Sequence, residues 1–246
     1  MQVAILLYPG ITALDAIGPY EVLRFMPDCD VRFVSAQPGP VVTDSGVLAL
    51  GATHSYEEVR NPDVVVVPGS EACTATAMAD AKLVQWVKAA HEGSRYTISV
   101  CSGALILGAA GILQGKPATT HWIAQSRLAM FGAIPSRDDR IVHWGKVITA
   151  AGVSAGIDLG LYVVGEICGR ERAERIQLLI EYDPRPPFDA GHPSKASRAV
   201  FDAAREEMMA RSRNPTNLIA VPLVLWREAI GKVRRRAGRR FGVADG

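Results

Sequence analysis

Two short segments place a nucleophile where a strand should turn into a helix. One is Ser99-Val100-Cys101-Ser102-Gly103, the other Gly152-Val153-Ser154-Ala155-Gly156, and both read small-x-nucleophile-x-small. Such a turn holds its central residue in a strained backbone conformation, and small neighbours are needed because the strand and helix backbones approach closely. At Cys101 the free N–H groups and the positive end of a helix dipole would favour the thiolate, the nucleophilic form of the side chain. Ser154 fits G-x-S-x-G, the elbow of serine hydrolases, with Asp183 or Asp189 and then His192 following in the chain order that chemistry requires. Against it, His192 lies in a Pro- and Gly-rich stretch without strand support, and no HGGG-type segment precedes Ser154. Capping the next helix is a sufficient role for that serine.

A nucleophile needs a proton-transfer partner and groups that stabilise developing charge. Asp15 sits in the otherwise apolar run Thr12-Ala13-Leu14-Asp15-Ala16-Ile17-Gly18-Pro19, just past the first strand. Apolar surroundings raise a carboxyl pKa toward the range of a general acid at neutral pH, while the plainer role is charge compensation at a helix start. Pro68-Gly69-Ser70 follows a run of four valines and falls at the carboxyl edge of a sheet, where open α/β folds bind ligands. The N–H groups of Gly69 or Ser70, with that of Ser102, could form an oxyanion site; a simple strand-ending turn is the other reading. His121 and His143, each followed by Trp, fit core or rim positions, and Asp158 fits a helix start. Gly111 to Lys116 approaches a P-loop, but the first Gly is one residue too close and Pro117 replaces the required Ser/Thr.

The elements that must position these residues alternate short β-branched runs with longer stretches of helical period, the pattern of an α/β domain with a mainly parallel sheet. Strands are expected over residues 2–8, 30–36, 63–67, 96–100, 118–121, 140–144 and 146–150, with a hairpin around 41–50. Helices are expected over 12–26, 80–91, 102–110, 123–130, 154–168 and 171–182. The Pro-rich segment Asp183-Pro184-Arg185-Pro186-Pro187-Phe188 interrupts, and the remainder reads as helical with breaks at Pro215 and Pro222. The 246 residues are 48% hydrophobic, enough for a sizeable core, and no apolar run approaches a membrane span, so a cytoplasmic protein is expected. Cys29, Cys73, Cys101 and Cys168 show neither CxxC pairing nor Cys/His ligand spacing, which argues against zinc and against a disulfide framework. Seven of the basic residues and only two acids fall between Arg227 and Gly246, so the near-neutral total conceals a mildly acidic body with a basic tail. That tail is short and carries no recognition motif, and residues 195–246 are too short for paired helix-turn-helix units, so nucleic acid is not an expected partner.

Leu14-Asp15-Ala16-Ile17-Gly18-Pro19-Tyr20-Glu21-Val22, Val65-Val66-Val67-Pro68-Gly69 and the segment from Ser99 to Trp122 resemble the DJ-1/PfpI superfamily. Gly152 to Asp158 and Tyr182 to Phe188 resemble its isonitrile hydratase branch, the similarity covering roughly residues 1–212. The resemblance implies a flavodoxin-like three-layer α/β sandwich of the class I glutamine amidotransferase-like kind over 1–212 and a homodimer; the helical basic extension read over 213–246 lies beyond it. It also implies hydration of an isonitrile, R–N≡C, to an N-substituted formamide without metal or organic cofactor. Cys101 would attack the terminal carbon, Asp15 would supply the proton and then help activate water, and Ser102 would give a hydrogen bond. Ser102 stands where that branch commonly has Thr, and Ser70 where a second Gly is usual. Other family chemistries, glyoxalase-like or amidase, and a ligand-sensing domain like that of AraC-type regulators are the alternatives the same core allows.

Overall fold

The computed structural model describes residues 1–213 and 215–241, with residues 215, 216 and 232–241 described by backbone alone. In chain order the elements are β1 (Gln2–Leu6), α1 (Ala13–Leu23), β2 (Asp30–Ser35), β3 (Gly39–Val42), β4 (Ala49–Ala52), β5 (His54–Ser55), β6 (Val64–Val67), α2 (Thr74–Ala79) and α3 (Ala81–Gly93). They continue with β7 (Tyr96–Ser99), α4 (Gly103–Ala109), β8 (Pro117–Ala118), α5 (Gln125–Leu128), β9 (Ile134–Pro135), β10 (Ile141–Trp144), β11 (Val147–Ala150), α6 (Ala155–Cys168), α7 (Arg170–Leu179), α8 (Arg198–Arg211) and α9 (Pro215–Phe241).

Seven strands form one sheet in the order β10-β11-β7-β6-β1-β2-β5, parallel throughout except that β10 runs antiparallel to β11. The central strands are covered on both faces, and their composition follows from that: all four valines of β6 are fully buried, as are Val3 to Leu6 along β1. The registers Ala4↔Val65 and Val66↔Ile98 bring the carboxyl ends of β1, β6 and β7 side by side. Turns leaving those three ends therefore converge, which is why Asp15, Gly69 and Cys101, distant in sequence, share one crevice.

Most expected strands and helices are recovered with shifts of a few residues; the strand expected at 118–121 is only the two-residue β8, paired with the unforeseen β9 outside the main sheet, β5 was also not foreseen, and two further differences bear on the site. The loop after β6 contains α2, a six-residue Thr/Ala helix with too little apolar pattern to be foreseen. The C-terminal segment does not break at Pro222: α9 runs through it. Proline removes one amide donor, and the carbonyl that loses it belongs to Leu218, itself 77% exposed, so water can satisfy that carbonyl. On the opposite side Ala220 and Val224 are buried, α9 packing against α2. The side chains of the basic run Arg234 to Arg240 lie outside the described residues. Among the described residues no helix is long and apolar enough to cross a membrane.

Candidate active site

Cys101 occupies the junction between β7 and α4 with φ of 56°, one of three non-glycine residues among those described with positive φ. The strain is held by neighbours: the Cys101 N–H donates to Ala151 O at 2.7 Å, and Thr120 Oγ1 donates to Cys101 O at 2.7 Å. Small residues around the elbow are a steric necessity. A Cβ on Gly103 would stand 2.0 Å from Val67 O, and one on Gly69 would stand 2.5 Å from Ser102 Oγ. Strand β6 and the first turn of α4 thus meet through glycine at both contacts.

Asp15, on the first turn of α1, is fully buried, and its Oδ2 accepts the Gly69 N–H at 2.9 Å. Oδ1 makes no hydrogen bond, and the Cys101 thiol lies near enough to interact with the carboxyl. Burial raises Asp15 to a pKa of about 7, against the lowering effects of the Gly69 N–H and the thiol. The Cys101 thiol is raised well above its ordinary value, first by burial and then by the charge of Asp15, while the Ser102 N–H opposes this. The expectation of a thiolate from the helix terminus is therefore reversed. A dipole contributes about 0.3–1 kcal/mol, whereas full burial shifts a titration by up to about 3–5 units. At neutral pH the pair exists mainly as a thiol beside a partly ionised carboxyl. The Tyr8 hydroxyl, which donates to Pro68 O at 3.1 Å, is also buried and raised, so it stays neutral.

Ser102 and Ser70 are brought together as one network with Thr74, which the sequence did not single out. Ser102 Oγ accepts the Ser70 N–H at 3.0 Å, lies 3.0 Å from Ser70 O as donor, and is 2.6 Å from Thr74 Oγ1. Thr74 Oγ1 also lies 3.0 Å from Ser70 O, so with one proton on each hydroxyl one of the pair donates to Ser70 O and the other to its neighbour's oxygen. The Ser70 hydroxyl donates to Gly10 O at 2.5 Å and accepts the N–H groups of Ala72 and Cys73, tying the loop to the start of α2. In place of the second Gly, a serine here fixes the loop. The amides considered for an oxyanion site are committed elsewhere: Gly69 holds the carboxyl and Ser70 holds Ser102. The Ser102 N–H, directed to the thiol, remains at the reacting centre.

Cys101, Ser102, Ser70, Thr74 and His121 line a cavity of about 610 Å³. His121 is driven to a pKa of about 4 by burial and is thus a neutral imidazole at physiological pH, its Nδ1 facing the Ile123 N–H at 3.5 Å. The competing serine site does not assemble. Ser154 caps α6 by position only, makes no side-chain cap bond, and its hydroxyl is 3.4 Å from Arg140. His192 bonds Ser194, and Asp158 bonds Arg140 and Tyr182. His143, on β10, pairs with the Tyr162 hydroxyl and Gly145 O. Among the described residues no group of three or more His, Cys, Asp or Glu is placed to hold a metal ion.

Residues 1–166 match the DJ-1/PfpI family. An isonitrile hydratase of Pseudomonas putida is 42% identical over 206 residues, which are 84% of this chain and 89% of that protein. An HTH-type transcriptional regulator of Pseudomonas aeruginosa, CdhR, is 28% identical over 178 residues, covering 70% of this chain and 52% of the regulator. The crystal structure of a ThiJ/PfpI family protein from Pseudomonas syringae superposes with a TM-score of 0.83 at 38% identity, covering 89% of this chain and 90% of that one.

Proposed function

The chain belongs to the DJ-1/PfpI family, and from that premise we propose that it is an isonitrile hydratase, adding water to R–N≡C to give R–NH–CHO. The observation that carries the reading is the buried Asp15–Cys101 pair at a roomy cavity, in a chain so similar to a protein of that activity. An isonitrile carbon is attacked by a nucleophile and also takes up a proton, so it needs a soft nucleophile and a proton shuttle at one point. Cys101 and Asp15 meet that requirement.

In the first half-reaction the Asp15 carboxylate takes the proton from the Cys101 thiol as sulfur bonds to the isonitrile carbon, and the same carboxyl returns it to that carbon. One S–H bond is exchanged for one C–H bond, and the product is a thioimidate. In the second, Asp15 takes a proton from water as its oxygen adds to the thioimidate carbon. Asp15 passes that proton to the nitrogen, then takes the remaining hydroxyl proton as the carbonyl forms and the C–S bond breaks, and hands it to the departing sulfur. A pKa of about 7 suits both halves, since the group must gain and lose a proton in each turnover. The Ser102 N–H steadies sulfur as charge develops on it, and Thr74 and Ser70 fix Ser102. A purely ligand-sensing role, favoured by the regulator's similarity, gives no reason to hold a carboxyl of raised pKa against a thiol.

The protein is further read as a cytoplasmic homodimer. Four free cysteines suit a reducing compartment, and the exposed Leu178 and Leu179 offer apolar surface for a second copy. The activity is tested by incubating the purified chain with cyclohexyl isonitrile and measuring N-cyclohexylformamide. Product is expected from the wild type and from Ser154→Ala and not from Cys101→Ala; absence of formamide across a panel of isonitriles overturns the reading.

A further inference from the structure

Helix α9 lies outside the stretch that matches the family, yet it forms part of the cavity wall. Val221, Val224 and Leu225, spaced to fall on one side of the helix, line the cavity together with Met78 of α2 and Leu105 of α4. Val224 is nearly fully buried, 6% exposed. Cys101, Ser102 and Ser70 line the same cavity, so it carries both reactive polar groups and apolar surface, the latter coming in part from α9.

The helix is mounted on the element that positions the catalytic network. Asn217 Nδ2 donates to Ala72 O at 2.8 Å, just before α2, and Arg227 donates to Ala79 O at 2.7 Å, at the last residue of α2. From the preceding helix α8, Arg211 pairs with Glu71 at 3.3 Å. The wall is therefore fixed to the 70–79 segment at both ends, with Thr74 between the anchors holding Ser102. Nothing in the chemistry at Cys101 requires this wall, since an isonitrile carbon is small beside a cavity of about 610 Å³. What the wall can do is contact the rest of the substrate.

We propose that α9 is the substrate-selecting wall of this cavity, with Val221, Val224 and Leu225 as specificity-determining residues that receive the apolar substituent of the substrate. The inference rests on the isonitrile reading for the identity of the reacting group, but not for the recognition of the apolar group. Each methylene that reaches the wall is expected to improve kcat/KM about fourfold, the equivalent of roughly 0.8 kcal/mol of apolar burial. Filling the space beside α9 should remove that gain selectively.

The experiment compares kcat/KM for methyl, n-butyl and cyclohexyl isonitrile in the full chain and in Val224→Trp, Leu225→Ala and Arg227→Ala, each checked for a cooperative thermal transition. The wild type should prefer cyclohexyl over methyl isonitrile. That preference should fall at least about tenfold in Val224→Trp, which fills the space, and several-fold in Leu225→Ala and Arg227→Ala, which thin or unmoor the wall. A preference unchanged in all three variants, or absent from the wild type, overturns the proposal. Should the wild type hydrate no isonitrile, the catalytic reading fails, and the wall is tested by calorimetry with N-methyl-, N-butyl- and N-cyclohexylformamide. Affinity rising with chain size in the wild type and flattening in Val224→Trp supports it; no binding, or no dependence on size, overturns it whatever the reaction.

Discussion

Replacing Asp15 by Asn should make the protein inactive and, above neutral pH, more stable. The carboxyl is fully buried, and its pKa is displaced upward from 3.8 to about 7, chiefly by burial. Because the folded-state value lies above the unfolded one, the folded state binds more protons between about pH 4 and 7. Asp15 therefore costs stability as pH rises through that window, and the cost is constant above it. The full displacement corresponds to about 4 kcal/mol, of which about 2.5 kcal/mol develops between pH 5 and 8. Asparagine is nearly isosteric, keeps an oxygen to accept the Gly69 N–H, and carries no titration. Its new amide N–H groups face the thiol and cost about 1–3 kcal/mol if left unpaired, so the absolute gain at pH 8 is smaller than the pH dependence. The informative quantity is the difference in unfolding free energy between wild type and Asp15→Asn, measured by urea denaturation at pH 5 and pH 8. That difference should move by about 2.5 kcal/mol in favour of the variant as pH rises. Meanwhile kcat/KM for the isonitrile should fall by about 10²–10⁴, the usual worth of a positioned proton-transfer group. A variant whose stability tracks the wild type in parallel at both pH values would show that Asp15 titrates normally and would refute the reasoning.

The pH–rate profile should rise as Asp15 ionises near pH 7 and flatten above it, as measured by kcat/KM in overlapping buffers; a profile level from pH 5 to 8 would remove the carboxylate from the rate-determining step. Thr74→Val keeps the volume but deletes the bonds to Ser102 and Ser70, so thermal denaturation should show a loss of about 1–3 kcal/mol, with kcat down about tenfold through misplacement of Ser102. Gly103→Ala would place a Cβ 2.0 Å from Val67 O, and chemical denaturation should register a loss of about 3 kcal/mol or more, or no soluble folded protein.

What was legible in the sequence divides along physical lines. The four-valine strand, the small-residue elbow at Cys101 and the lone acid of an apolar run are local signals, and each marks a position the fold uses. The state of the thiol was not legible. Local sequence shows the helix terminus that favours a thiolate, while the burial and the carboxylate that defeat it arrive through three strands folded side by side. The two loop amides were likewise assigned by their position after a strand, and only the folded structure reveals that Gly69 and Ser70 already have acceptors. Helix α2 was missed because six Thr, Ala and Met residues carry no clear period, although its Thr74 completes the network. Pro222 suggested a break, and the helix persists because the lost bond lies on the solvent side while Ala220 and Val224 pack inward. The tail, which had no assignable role in the sequence, thereby supplies a wall of the cavity.

The central claim is that Cys101 bonds to substrate carbon and that Asp15 moves the protons. The direct measurement is intact-protein mass after acid quench during turnover of cyclohexyl isonitrile, with peptide mapping of the modified site. The mechanism predicts a population heavier by one isonitrile, mapped to Cys101, accumulating in the wild type and absent from Cys101→Ala together with formamide production. Formamide formed at an undiminished rate by Cys101→Ala, with no adduct on the wild type, would contradict it.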